Sequence, residues 1–391
     1  MLLMMKITYI TSAIIPHDMT HPYQIMKTCE GFAKNKVKVD LILQSHPEAN
    51  KKLKVVKNIW HYYGIKKRFK IRKIPHLFWI NQYYVGKLGF LRFCLQTILF
   101  TIFFSSYSLI YRPDVYYVRD RDIFWASYLS FLKFIHRGRI YIEGHHPYPW
   151  VVALVKKSAV DGLIVITSQL KEYYLAHGVS PKKLFVSGSG VDLKMFDKPP
   201  SKTAIRKELN IPLSKKIVCY TGHLYDWKGV QVLALAMKGF INDDVICYFV
   251  GGLEEDVERF KKFIKKNNIQ NIIVVGHVPP ILVPKYQIAA DVLVLPNIRI
   301  GLSEYTSPLK LYEYMASKRP IVASDLPALR EVLDEKTSVL VAPNNPEALA
   351  KGIKMVIDDK KLAKKLSKNA YRNIIEYDWQ ERAKNIIKFI S

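Results

Sequence analysis

Lys228 and Gly229 close the run Gly222-His223-Leu224-Tyr225-Asp226-Trp227-Lys228-Gly229, which lies between an apolar segment and a helical one. Glycines let a backbone come close to a ligand and a lysine adds charge, so such a loop suits a phosphate. It is not a Walker A sequence, and a lysine in such a loop is as often a plain surface residue. Glu304 and Glu313 are the candidate carboxylates, the first in a polar loop and the second on the helix that follows. Helical glutamates are mostly solvated, so only the flanking geometry singles these two out. Ser307 is a natural cap for that helix, and Pro308 fits its first turn, where a missing N–H does no harm. The free amides of the helix N-terminus suit a phosphate. Glu313, further in, would reach a nearby sugar hydroxyl. His145 and His146 follow a strand, but such a pair is more often structural than catalytic, and no third ligand at metal spacing accompanies it. There is no Gly-x-Ser-x-Gly elbow, which argues against a serine hydrolase. The loop Thr11-Ser12-Ala13-Ile14-Ile15-Pro16 lacks the glycine fingerprint of a dehydrogenase.

The elements that must position these residues alternate as strand and helix. Strands are expected at 6–10, 37–43, 114–119, 140–143, 162–166 and 184–186, and after Pro199-Pro200 at 216–221, 245–250, 272–275, 292–295 and 321–323. Helical patterns fall between them, so the fold class is α/β, two Rossmann-like parallel-sheet domains in series. A cleft between two such domains is the default ligand site.

The 391 residues carry 60 Lys+Arg against 33 Asp+Glu, a formal net charge of +27. Such a field draws nucleic acid, anionic membrane or phosphorylated ligands without choosing among them. Residues 47–73 are lysine-rich and read as a surface segment, in which Trp60, Tyr62 and Tyr63 are a few anchors rather than a stacking platform; no nucleic acid partner is expected. The uncharged run Phe93–Tyr111 contains Gln96, Thr97, Thr101, Ser105, Ser106 and Ser108 and reads as a buried or membrane-surface helix rather than a span. Cys29, Cys94, Cys219 and Cys247 show neither metal spacing nor a disulfide framework, and a reduced compartment is the default. The N-terminus reads as a first strand, not a signal peptide.

Four stretches taken together and in this order, Tyr220–Gly229, Gly276–Pro279, Asp291–Pro296 and Ser307–Glu331, resemble the retaining glycosyltransferases of the GT-B fold, family 4. The resemblance covers nearly the whole chain and is weaker in the first half. It implies two Rossmann-like domains facing across a cleft, an acceptor-side domain at 1–196, a nucleotide-sugar domain at 197–372, and a C-terminal helix at 373–391 packing back on the first. The implied activity is hexosyl transfer from a nucleotide sugar to a saccharide or lipid-linked acceptor, with retention and without a metal or other cofactor. Lys228 would bind the donor diphosphate together with Gly222, His223, Ser307 and the amides of Leu309 and Lys310. Glu313 would hold the ribose, and Val278 would frame the base. Lys228, Glu304, Arg119 and His145 are the candidate catalytic residues. The chain departs from the family at four places. Tyr305, not Glu304, stands where a first glutamate is usual, His223 replaces an arginine, Arg119 replaces a histidine, and the first loop has no glycine. A degenerate binding subunit and a GT-B epimerase are the alternatives. The expected place is the cytoplasm, peripheral at an anionic membrane surface.

Overall fold

The structure, a computed structural model, describes residues 4–44, 47–74, 95, 98–99, 102–103, 105–134, 137–241 and 243–391. Two compact units emerge: one of Met1–Ile166, Leu170–Ser187 and Gln380–Ser391, the other of Thr167–Gln169 and Gly188–Trp379.

The first unit is built on β1 (Lys6–Thr11), β2 (Lys38–Gln44), β3 (Lys70–Ile74), β4 (Val115–Arg119), β5 (Arg139–Gly144), β6 (Gly162–Val165) and β7 (Leu184–Val186). They form one parallel sheet in the order β3-β2-β1-β4-β5-β6-β7. Every residue of β4 is buried, as expected for a parallel strand covered on both faces. The strand order reverses between β1 and β4, so the loops after these two parallel strands open the crevice where such sheets take ligands. The 47–73 stretch keeps its described lysines exposed, as a surface segment should, but it is regular structure rather than a plain loop. It forms helices Pro47–Val56 and Ile59–Tyr62 and then the edge strand β3. Tyr63 and Phe69 are buried in the core and Trp60 packs edge-on against Phe69, with ring centroids 5.0 Å apart. The lysines sit where an edge strand resists pairing with another chain. Much of Phe93–Tyr111 lies outside the described residues. Of the part described, residues 105–111 are helical. Tyr107 bonds Thr8 at 2.8 Å and Asp40 at 3.0 Å, while Leu109 and Ile110 face outward. Among the described residues no helix is long and apolar enough to cross a membrane.

Helix Trp379–Ile390 contributes Ala383, Ile386 and Ile390 to the first unit's core beside Tyr9, Val115 and Tyr117. It also brings Arg382 to Glu143, 3.3 Å away, both deeply buried. Burial alone would raise the Glu143 carboxyl pKa, but the Arg382 guanidinium and a His145 hydrogen bond hold it well below the usual range.

The second unit restarts the pattern with β8 (Lys216–Thr221), β9 (Val245–Val250), β10 (Ile272–Gly276), β11 (Val292–Leu295), β12 (Ile321–Ser324) and β13 (Val339–Val341). These are again all parallel, in the order β10-β9-β8-β11-β12-β13. Here the strand order reverses between β8 and β11. Asp291, just before β11, anchors this junction by accepting from Arg206 and from the Ile217 amide, both at 2.7 Å.

Removing one partner of a buried ion pair strands the other, at a cost of about 3–5 kcal/mol. Arg382→Met should therefore lower the first unit's denaturant midpoint clearly, and the double variant Arg382→Met/Glu143→Gln should recover much of the loss. A chemical denaturation series on the full chain measures both.

Candidate active site

The loop after β8 is shaped by its two terminal glycines. Gly222 has φ +128°, and Gly229 has φ +74°. A Cβ on Gly229 would overlap the Pro296 carbonyl oxygen and lie 2.6 Å from its carbon. The β8 loop and the end of β11 therefore touch backbone to backbone, which only glycine allows. The turn Asp226–Lys228 leads from this loop into helix Val230–Ala236.

Lys228 places its ammonium 3.6 Å from the centroid of the Trp227 ring. Burial pushes that ammonium down to about 7. Lys310, the second residue of helix Leu309–Ala316, is only 8 % exposed, and its Nζ has no hydrogen-bond partner. That Nζ lies 3.6 Å from the centroid of the Tyr220 ring and 3.5 Å from where a Cβ on Gly222 would sit. Burial, then repulsion from Lys228, drives its pKa well below the ordinary lysine value, with Glu313 partly opposing. Among the described residues neither lysine forms an ion pair. Both ammoniums are penalised by lost hydration, and Lys310 is penalised by Lys228 as well.

His223 does not add a third charge. Its ring stacks on Tyr225, centroids 5.0 Å apart, and burial followed by the field of Lys228 pushes it down to about 4. It is neutral at physiological pH. The sequence reading used Leu309 and Lys310 only for their amides. The clue it missed is a lysine wedged between leucines on a mostly apolar helix.

Ser307 is not the helix cap. Pro308 holds that position, with an extended ψ of 127°, which moves Ser307 one residue too far from the first amides. Its hydroxyl instead bonds Tyr312 at 2.9 Å and accepts from the Ser189 amide at 3.0 Å. Helix amides Leu309 and Lys310 follow directly. One turn on, Glu313 Oε2 accepts from Gln287 at 2.8 Å. Gln287 is fully buried and also donates to Thr221 at 3.2 Å, so it fixes the carboxylate relative to β8. Gln287 is a positioning residue that the sequence reading passed over. Val278 is half-buried just past β10, packed against the second unit's core. Glu304 is exposed on the turn Gly301–Tyr305, and the structure does not bring it to a partner.

Arg119 and His145 belong to the first unit. Arg119 ends β4 and is 7 % exposed, with one donor on Gln24 at 3.1 Å. His145 is buried, its Nε2 committed to Glu143 at 2.8 Å and its amide to Asp120 at 2.5 Å. Burial, then Arg119, lowers its pKa. Among the described residues no three His, Cys, Asp or Glu side chains converge as metal ligands.

Comparison with known proteins places this arrangement in a class. The chain superposes over 99 % of its length on 98 % of a glycosyltransferase from Rickettsia africae, with a TM-score of 0.76 at 16 % identity. It covers 98 % of Anabaena HepE, solved with UDP and glucose, with a TM-score of 0.73 at 15 % identity. The architecture is GT-B, two Rossmann-like units in one chain. Residues 201–373, within the second unit, match the family model described as Glycosyl transferases group 1. An uncharacterized glycosyltransferase of Methanocaldococcus jannaschii is 27 % identical over 60 % of this chain. D-inositol 3-phosphate glycosyltransferase of Corynebacterium glutamicum is 25 % identical over 57 %. The chain spans 59 % and 55 % of the lengths of these two relatives.

Because a Cβ at position 229 collides with backbone and the φ is left-handed, Gly229→Ala should displace the whole loop. The expected result is loss of inorganic pyrophosphate binding and a stability cost of roughly 2 kcal/mol or more. Calorimetric titration and a melting curve of the variant check it.

Proposed function

We propose that the protein transfers a sugar from a nucleoside-diphosphate sugar to a saccharide or lipid-linked acceptor, with retention at the anomeric carbon. The observation that carries this reading is the pair of unpaired ammoniums, Lys228 and Lys310, at the β8/β11 switch point of a glycosyltransferase-family unit. A departing nucleoside diphosphate gains negative charge in the transition state. Preorganised cations in a dry site stabilise that charge, with the Leu309 and Lys310 amides added at a helix N-terminus. Two lysines supply the charge that a divalent ion would otherwise bring, so activity is expected to survive chelation. Glu313, held by Gln287, is placed for a ribose hydroxyl, and Val278 for the base. The neutral His223 and the exposed Glu304 favour a second reading, a binding subunit that takes the nucleotide sugar without turning it over. A panel of nucleotide sugars assayed for release of nucleoside diphosphate separates the two, and proton NMR of any product reports its anomeric configuration.

Lys228→Met and Lys310→Met should each weaken UDP binding on the order of thirtyfold, about 2 kcal/mol for a hydrogen bond to a charged group. Lys310→Met should also raise the melting temperature of the free protein, because it removes a buried unpaired charge. Unchanged UDP affinity in both variants would refute the donor site.

The pH dependence has a definite sign. Below about pH 7 the Lys228 ammonium is already charged in the free protein. Above it, binding a diphosphate must recover a proton, so UDP affinity should fall from pH 7 to 9, by at most roughly tenfold per unit. Calorimetry at pH 8 in buffers of different ionisation enthalpy should show proton uptake.

The same reading places the protein in the cytoplasm, peripheral on an anionic membrane face. Its support is the net charge of +27 and the outward Ile98, Ile102, Leu109 and Ile110 beside Arg72 of β3. Each basic residue near an anionic surface adds about 1 kcal/mol, and an apolar helix face adds buried area. Co-sedimentation with phosphatidylserine vesicles should decline with salt. No sedimentation at low salt would rule the membrane out.

A further inference from the structure

The first unit has its own crevice at a switch point. The loop after β1 and the loop after β4 enclose a cavity of about 430 Å³ at the C-terminal edge of the sheet. Its charged lining is Arg119, Arg121, His17, His21 and Asp122. The single acid is already used, because the Asp122 carboxylate accepts from both the amide and the hydroxyl of Ser12. Arg119 acts through its field on Asp122 and on the buried Asp120 and Glu143, but hydrogen-bonds none of them among the described residues. Arg119 is more than nine-tenths buried, forms no ion pair among the described residues, and its Nε has no partner. Arg121, on the same wall, is exposed. His17 Nδ1 accepts from the Met19 amide at 3.2 Å, which makes its Nε2 the donor in the neutral ring.

We infer that this cavity binds the acidic group of a saccharide acceptor, a carboxylate or a phosphate ester, through Arg119 and Arg121. The inference rests on the glycosyltransferase reading and adds the substrate class. A planar guanidinium matches either oxyanion with two parallel hydrogen bonds and cannot lose its charge. The family resemblance puts a histidine at the position of Arg119, so this chain has a permanent cation where a switchable one is usual. The field in the cavity agrees. His21 is pushed down to about 3 by burial and then by Arg119, Arg121, His17 and His145, with no negative group among the causes.

The test uses the full chain with UDP saturating the second unit. Glucuronate and glucose 6-phosphate are titrated as the two acidic probes and glucose as the neutral control. Both acids are expected to bind, with glucose at least tenfold weaker. Arg121→Gln, at an exposed position that folding does not need, should weaken both acids at least tenfold, and Arg119→Lys should weaken them less than Arg119→Gln. The double variant Lys228→Met/Lys310→Met, titrated without UDP, should keep acid binding, which locates it away from the second unit's lysines. Glucose binding as tightly as the acids, or acid affinity unchanged in Arg121→Gln and Arg119→Gln, would overturn the inference. Titration of UDP alone scores the donor site separately. Acid probes that fail while UDP binds refute only this inference, and UDP that fails to bind refutes only the donor reading.

Discussion

The second unit depends on keeping two like charges dry and uncompensated beside each other. Lys228 comes from the loop after β8 and Lys310 from the first turn of helix Leu309–Ala316, and their ammoniums lie against aromatic faces, Trp227 and Tyr220. A ring quadrupole offsets part of the lost hydration of an ammonium, roughly 1–2 kcal/mol where water is excluded. That holds the charge in place without satisfying it. A carboxylate in the same spot would neutralise it and leave nothing for a ligand. The site is thus unstable relative to what the fold could have made of it, and an arriving dianion collects the difference.

Such an arrangement needs the backbone to be close-set. Gly229 against Pro296 and Gly251 against Gly222 bring three strand ends to van der Waals contact, with a Cβ on Gly251 falling 2.6 Å from the Gly222 carbonyl oxygen. Gln287 and Tyr314 complete the frame from below. Tyr314 accepts from the Thr221 amide at 2.8 Å, and Gln287 ties Thr221 to Glu313. The end of β8 is therefore held by hydrogen bonds that the sheet does not supply.

Most of the fold was legible in the sequence, because a parallel strand buried on both faces appears as an unbroken apolar run, as Val292–Leu295 and Val245–Val250 do. β3 was hidden because an edge strand may be basic, and Lys70-Ile71-Arg72-Lys73-Ile74 reads as a charge run unless its pairing with β2 is known. At the site, Lys228 was legible from its loop alone. The Lys310 side chain was not, since its environment is made by Tyr220 and by the missing Cβ of Gly222, both remote in sequence. Gln287 was hidden for the same reason, its carboxylate partner lying on another helix. Ser307 shows the opposite failure. A local rule named it a cap, and the proline beside it, which the same rule welcomed in the first turn, took the cap position.

The two crevices also differ in how their charge is held, and this bears on what each can release. The cations of the second unit are ammoniums with depressed proton affinity, so their charge depends on whether an anion is present. Those of the first unit are guanidiniums, which stay charged whatever is bound. On the proposed reading, a nucleoside diphosphate is bound tightly during transfer and then let go. A lysine pair that can shed a proton makes the empty site less costly than two fixed charges would. An acceptor recognised by its acid group keeps that group before and after reaction. A fixed charge holds substrate and product alike, and orientation there follows from the guanidinium fork rather than from any change of protonation.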